Sequence, residues 1–250
     1  MNRSSTGPLP SRKAGFPAVF ALCIAALFFA SCSGVVEGVL KQDDSADFEL
    51  EISLGKQMAG RLRLLNRVMR GGATGTETPL LDGPAIARSM QAAPGISGVV
   101  LHNLGPDAVA GVIAVSRIDA FLALPEQAAG APFIRYDPAG RLVVSLNLTT
   151  GPRLLSLLSE DVRDYLSTLA APVATGMPLT RAAYREIAAS LHGSQVADEI
   201  AAAHIRITIE FPRPVREVRG GSVQRGRARF DLPLIDLLVL EQPLIYEVAW

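Results

Sequence analysis

Ala46-Asp47-Phe48-Glu49-Leu50-Glu51-Ile52-Ser53-Leu54 alternates apolar and polar residues without a break. Successive side chains of a strand point to opposite faces, so Phe48, Leu50, Ile52 and Leu54 share one side and Asp47, Glu49, Glu51 and Ser53 the other. One covered and one wet face is the mark of an antiparallel sheet. Val35 to Leu40 precedes this run across Lys41-Gln42-Asp43-Asp44-Ser45, a turn-forming stretch, and the pair is predicted to form a hairpin. The alternation returns far down the chain, where Ile205, Ile207, Ile209 and Phe211 oppose Arg206, Thr208 and Glu210. Val215 to Val223 and Arg227 to Leu232 read as a further hairpin, turning at Gly220-Gly221 or at Arg225-Gly226. Leu234 to Leu240 is short and apolar, and Leu244 to Trp250 is a closing strand.

Between these ends the period changes. Met58, Leu62, Leu65 and Met69 recur at helical spacing until Gly71-Gly72, and residues 71–81 have the composition of a loop, read as a flap. Asp82 ahead of Gly83-Pro84 starts a helix that ends before Pro94-Gly95. Ser97 to Asn103 and Ala110 to Val115 flank Leu104-Gly105-Pro106-Asp107 as a hairpin. Ser116 and Asp119 have capping-box spacing ahead of a short helix closed by Pro125, and Ala128 to Pro132 is a small-residue connector. Phe133 to Tyr136 and Arg141 to Leu148 flank the turn Asp137-Pro138-Ala139-Gly140, with Leu142, Val144, Leu146 and Leu148 facing inward. Leu154 to Ala171 reads as helix with a break at Ser159, and Thr180 and Ser194 are expected to cap two more helices.

The expected fold class is therefore α+β, an antiparallel sheet from N- and C-terminal hairpins with helices inserted in the middle. Residues of about 150–203 form the helical insertion, covering one sheet face or standing as a lobe. The last strand is expected beside the first, which would bring Val35 and Trp250 together.

The N-terminal stretch decides location. Arg3, Arg12 and Lys13 precede an apolar run from Ala18 to Ala30, too short for a spanning helix that needs about 20 residues. The run closes on Phe29-Ala30-Ser31-Cys32, which resembles the lipobox of bacterial lipoproteins with Phe29 in place of the usual Leu. That resemblance implies a signal peptide over 1–31, removal of that peptide, and acylation of Cys32 at the start of one domain over 32–250. The alternative is an ordinary secreted protein in which Cys32 is incidental. Two or three acyl chains would suffice as the only membrane anchor. Ser33 and Gly34 span only about 7 Å before the first expected strand, so the domain would sit against the membrane. Cys23 leaves with the signal, and no internal disulfide is expected.

With residues 1–31 removed, 219 of the 250 residues remain, carrying 21 basic and 24 acidic side chains. That balance gives no reason to expect nucleic acid as a partner. Ser53-Leu54-Gly55-Lys56 has the Ser-x-x-Lys spacing of penicillin-binding enzymes, but no Ser-Asp-Asn or Lys-Thr-Gly accompanies it, and a strand ending at a helix-capping serine accounts for it. Gly71 to Thr76 lacks the ending of a phosphate loop. His102, His192 and His204 are widely spaced, Asp43, Asp44 and Asp47 lack the ordered oxygens of a calcium loop, and neither a metal nor a cofactor is expected. The strongest charge pattern is Arg213, Arg216, Arg219, Arg225, Arg227 and Arg229, with Glu217 among them. Arg225, Arg227 and Arg229 fall on one strand face and are candidate contacts for anionic headgroups or an acidic ligand, against a simple solvated face.

Cys32, the run Glu37 to Phe48, and the endings Phe230-Asp231-Leu232-Pro233-Leu234 and Leu244 to Trp250 resemble uncharacterised bacterial lipoproteins and, more remotely, LppM-like lipoproteins. The resemblance implies a place at the cell envelope and the handling of lipid or glycolipid. The expected function is thus that of an acyl-anchored, non-enzymatic envelope protein that binds a lipid or other amphiphile and faces the periplasm or exterior. The alternative is an envelope interaction or structural lipoprotein that docks on another protein without a small ligand. A hydrolase is third, since no Gly-x-Ser-x-Gly elbow is present.

Overall fold

β1 (Cys32–Leu40) and β2 (Ala46–Leu54) pair antiparallel as the alternation requires. Their turn is held by the Asp43 carboxylate, which accepts from the Ser45 amide at 3.1 Å and the Ser45 hydroxyl at 2.6 Å, while Asp44 takes the left-handed conformation at φ 60°. The structure, a computed structural model, describes residues 32–69, 79–122, 133–151 and 169–250. The expected signal peptide, the Pro125 helix stop, most of the 71–81 flap and most of the Leu154–Ala171 helix lie outside the described residues.

β3 (Ile96–Gly105) and β4 (Ala108–Val115) form the expected hairpin, and β4 pairs along β2. β7 (His204–Glu210) runs parallel to β1, β10 (Arg227–Pro233) pairs antiparallel with β7, and β9 (Ser222–Gln224) closes the edge. The result is a seven-stranded sheet in the order β3-β4-β2-β1-β7-β10-β9. A second, antiparallel sheet has the order β5-β6-β11-β8, from β5 (Ile134–Asp137), β6 (Arg141–Leu146), β8 (Glu217–Arg219) and β11 (Leu244–Ala249). The α+β class and its inserted helices are as the sequence predicts.

Two pairings differ from expectation. The last strand, β11, joins β6 and β8 in the second sheet, and β7 takes the place beside β1. The run Val215 to Val223 is not one strand: β8 ends at Arg219, and the chain passes to the other sheet before β9 begins at Ser222. Gly220 makes that passage at φ 74°, and a Cβ on Gly221 would meet the Phe230 ring at 2.6 Å. The hairpin turn is accordingly Arg225-Gly226, both at positive φ.

Seven helices lie among the described residues: α1 (Lys56–Met69), α2 (Gly83–Met90), α3 (Ile118–Leu122), α4 (Pro172–Thr175), α5 (Arg181–His192), α6 (Ser194–Ala202) and α7 (Leu234–Val239). Asp82 caps α2 and Thr180 caps α5 through their side-chain oxygens. Ser194 does not cap α6, because the chain enters that helix through Gly193 at φ 96°. Ser116 does not cap α3 either; its hydroxyl donates to the Gly95 carbonyl at 3.1 Å. One apolar core runs from Leu54, Met58 and Leu81 through Ile113 and Ile205 to Leu234, Leu238 and Val248.

Candidate functional site: an apolar cavity between two sheets

The inward face of β2 presents Phe48, Leu50 and Ile52, and the inward face of β6 presents Leu142, Val144 and Leu146. These two rows do not close on each other. Between them lies a cavity of about 230 Å3, completed by Val36 of β1, Ile207 and Ile209 of β7, Phe230 and Leu232 of β10, Tyr246 and Val248 of β11, and Phe121 of α3. Close packing normally removes such space, and an apolar cavity of about 150 Å3 already stays dry and accepts a benzene ring. On β1 the inward-facing residues Gly34 and Gly38 carry no side chain, and the Phe48 ring packs over Gly38. A Cβ on Gly38 would lie 2.7 Å from the Phe48 ring.

Every lining residue is apolar except Tyr136 and Tyr246, and neither hydroxyl makes the cavity polar. The Tyr136 hydroxyl donates to the Asp44 carboxylate at 2.7 Å, which ties the β1–β2 turn to the second sheet. Burial and then the Asp44 bond hold the Tyr136 phenol well above its ordinary range. Burial, with the nearby Asp236 charge, pushes Tyr246 up to about 12. Tyr136 also stacks on Trp250 at 6.2 Å, and Trp250 leans on Phe211 at 4.4 Å. The single tryptophan of the chain is thus one ring away from the cavity wall. A pocket lined this way holds hydrocarbon and offers nothing to a charged group.

The residues singled out by the sequence are scattered. The β1 backbone is already extended at Cys32, whose partner is Leu54, so the expected two-residue spacer is itself part of the strand. Ser53 is the last residue but one of β2, and Lys56 opens α1 as an exposed residue. Ser53 is not the cap of α1. The Glu199 carboxylate of α6 takes that role, accepting from the amides of Gln57 at 2.8 Å and Met58 at 3.1 Å. His102 lies on β3, His192 ends α5, and His204 faces Asp231 at 3.3 Å; among the described residues no group of three or more His, Cys, Asp and Glu side chains is placed to hold a metal ion.

Arg225, Arg227 and Arg229 do not share one strand face. Arg225 stands in the turn at φ 51°, off the strand, because the hairpin closes there. Arg227 is opposed by Glu210 at 2.9 Å and lies 3.9 Å from Glu37, and Arg229 donates to the Gln224 side chain at 3.1 Å. Val39 pairs with Glu210, so this arginine end is about seven residues, or about 23 Å, along the strands from Cys32.

No protein-family model matches the chain, and no curated protein matches it. Among solved structures, the NMR structure of the folded domain of the Mycobacterium tuberculosis LppM protein is similar at a TM-score of 0.36 and 12% identity, over 88% of this chain and 90% of that one.

Proposed function

We propose that this is an acyl-anchored cell-envelope protein, not an enzyme, that holds the hydrocarbon part of a lipid or other amphiphile between its two sheets. The observation that carries the proposal is the cavity of about 230 Å3, whose lining is apolar but for Tyr136 and Tyr246. Scaled from the benzene-sized cavity, it takes about nine carbon atoms, so an alkyl chain enters while its headgroup stays outside. The Phe29-Ala30-Ser31-Cys32 motif supports the anchor, and no helix among the described residues is long and apolar enough to cross a membrane.

Two measurements test this. Metabolic labelling with a fatty acid should mark the wild type and not Cys32→Ala. Decanol titrated into the protein should change Trp250 fluorescence saturably, and Val36→Phe with Ile207→Phe, which place rings in the cavity, should abolish that change while leaving the circular dichroism intact. An unaltered titration in the filled variant removes the cavity from the function.

A second proposal rests on the outer face of the seven-stranded sheet. No helix of the described residues lies over Val100 and Val112, which pair across β3 and β4 and are 70% and 47% exposed. A protein partner in the envelope would cover them. Native mass spectrometry separates the two: co-purifying lipid supports the cavity, and a stable protein complex with no lipid supports the outer face.

A further inference from the structure

Arg213, Arg225 and Arg227 lie together where the long strands end farthest from Cys32. Arg213 is held between Pro212 and Pro214, whose rings stiffen the loop, and its guanidinium is tethered by a bond to the Ala139 carbonyl. Arg225 is placed by the left-handed turn of the β9–β10 hairpin. Together with Arg227, Thr208 and Glu210 they line an open cleft of about 870 Å3. Glu210 is engaged by Arg227, and among the described residues neither Arg213 nor Arg225 meets a carboxylate. The cleft therefore keeps two guanidinium groups that form no ion pair with an Asp or Glu side chain among the described residues, each a planar fork suited to phosphate. The Arg213 guanidinium is fixed by its bond to the Ala139 carbonyl, and the left-handed turn fixes the backbone from which Arg225 projects.

We propose that this cleft binds a phosphate-bearing group presented from solution or from a facing surface, and not the headgroups of the membrane holding the protein's own anchor. The last clause rests on the Cys32 anchor and on the strands standing upright on that membrane, since only then does the separation of about 23 Å between the two ends hold the cleft off its surface. The cleft itself does not depend on the anchor, and it is separate from the apolar cavity, since Thr208 and Glu210 alternate with the cavity residues Ile207 and Ile209 on β7.

The test uses the exported, full-length protein. Pyrophosphate titrated calorimetrically in neutral detergent should bind, and Arg213→Gln with Arg225→Asn should weaken binding at least about tenfold. Asn is chosen because it tolerates the left-handed turn. Arg225→Asn alone, at an exposed turn, gives the same direction should the double variant fold poorly, and Arg61→Gln in α1 should change nothing. Equal affinity in the wild type and the cleft variants, or no binding, overturns the proposal. A second arm anchors the protein in phosphatidylcholine vesicles and adds vesicles containing phosphatidylglycerol. Arginine-dependent clustering identifies a facing surface as the source, and pyrophosphate binding without clustering identifies a soluble phosphate compound. Arginine-dependent contact with phosphatidylglycerol mixed into the anchoring vesicle itself overturns the exclusion of the home membrane. Release of the protein from neutral vesicles would sink the anchor, and the pyrophosphate result would still decide the cleft.

Discussion

Glu199 shows how one side chain joins distant parts of the chain. Its carboxylate satisfies two amides of the first turn of α1, a job that cannot be done locally because the chain enters that helix straight from β2 through Gly55. Glu199→Ala should cost about 1 kcal/mol, read as a melting temperature about 2–4 °C lower, and Glu199→Gln should recover part of it. A melting point identical to wild type in Glu199→Ala would mean that water caps α1 as well as the carboxylate does. Gly38 acts on the site directly. Its missing Cβ leaves room for the Phe48 ring, so Gly38→Val should displace that ring, cost about 1–3 kcal/mol and reduce decanol uptake. Stability lost with uptake unchanged would separate the glycine from the cavity.

Hairpins were the most legible elements, because alternation and turn residues are local signals. The β1–β2, β3–β4 and β5–β6 pairs stand where Ala46 to Leu54, Leu104 to Asp107 and Asp137 to Gly140 predict them. Which sheet a strand joins is not a local property. β11 has the pattern of a sheet strand wherever it pairs, so nothing in Leu244 to Trp250 separates a place beside β1 from one beside β6. The parallel β1–β7 pair likewise joins residues about 170 positions apart, beyond the reach of any turn. Gly220-Gly221 marked a turn correctly but hid its purpose, the crossing from one sheet to the other. The cavity was not legible at all, since apolar residues announce burial and say nothing of whether they meet.

The whole molecule is two sheets with apolar faces turned toward each other, tied by the Tyr136–Asp44 bond and the Phe211–Trp250 contact. Its tyrosines give this arrangement a pH signature. Burial raises Tyr184, burial with the Asp44 bond raises Tyr136, and burial with Asp236 raises Tyr246, each from 10.0. Between the unfolded and the raised folded values the folded state keeps protons that the unfolded state loses. The stability these phenols contribute is therefore intact below about pH 10 and falls as the pH rises toward and past 12. Urea midpoints measured from pH 8 to 11 should be flat and then drop, and Tyr246→Phe should soften the fall. A midpoint that rises above pH 10 would contradict the burial of these rings. At the same scale, the cavity and the arginine cleft sit on opposite faces of β7.

Intermolecular nuclear Overhauser effects between a decyl chain and the methyl groups of otherwise deuterated protein address the cavity directly. Contacts from Val36 and Ile207 on one sheet together with Val144 and Val248 on the other, from the same chain, are the predicted result. Contacts confined to the exposed Val100 and Val112, or absent altogether, would contradict a protein that holds hydrocarbon between its sheets.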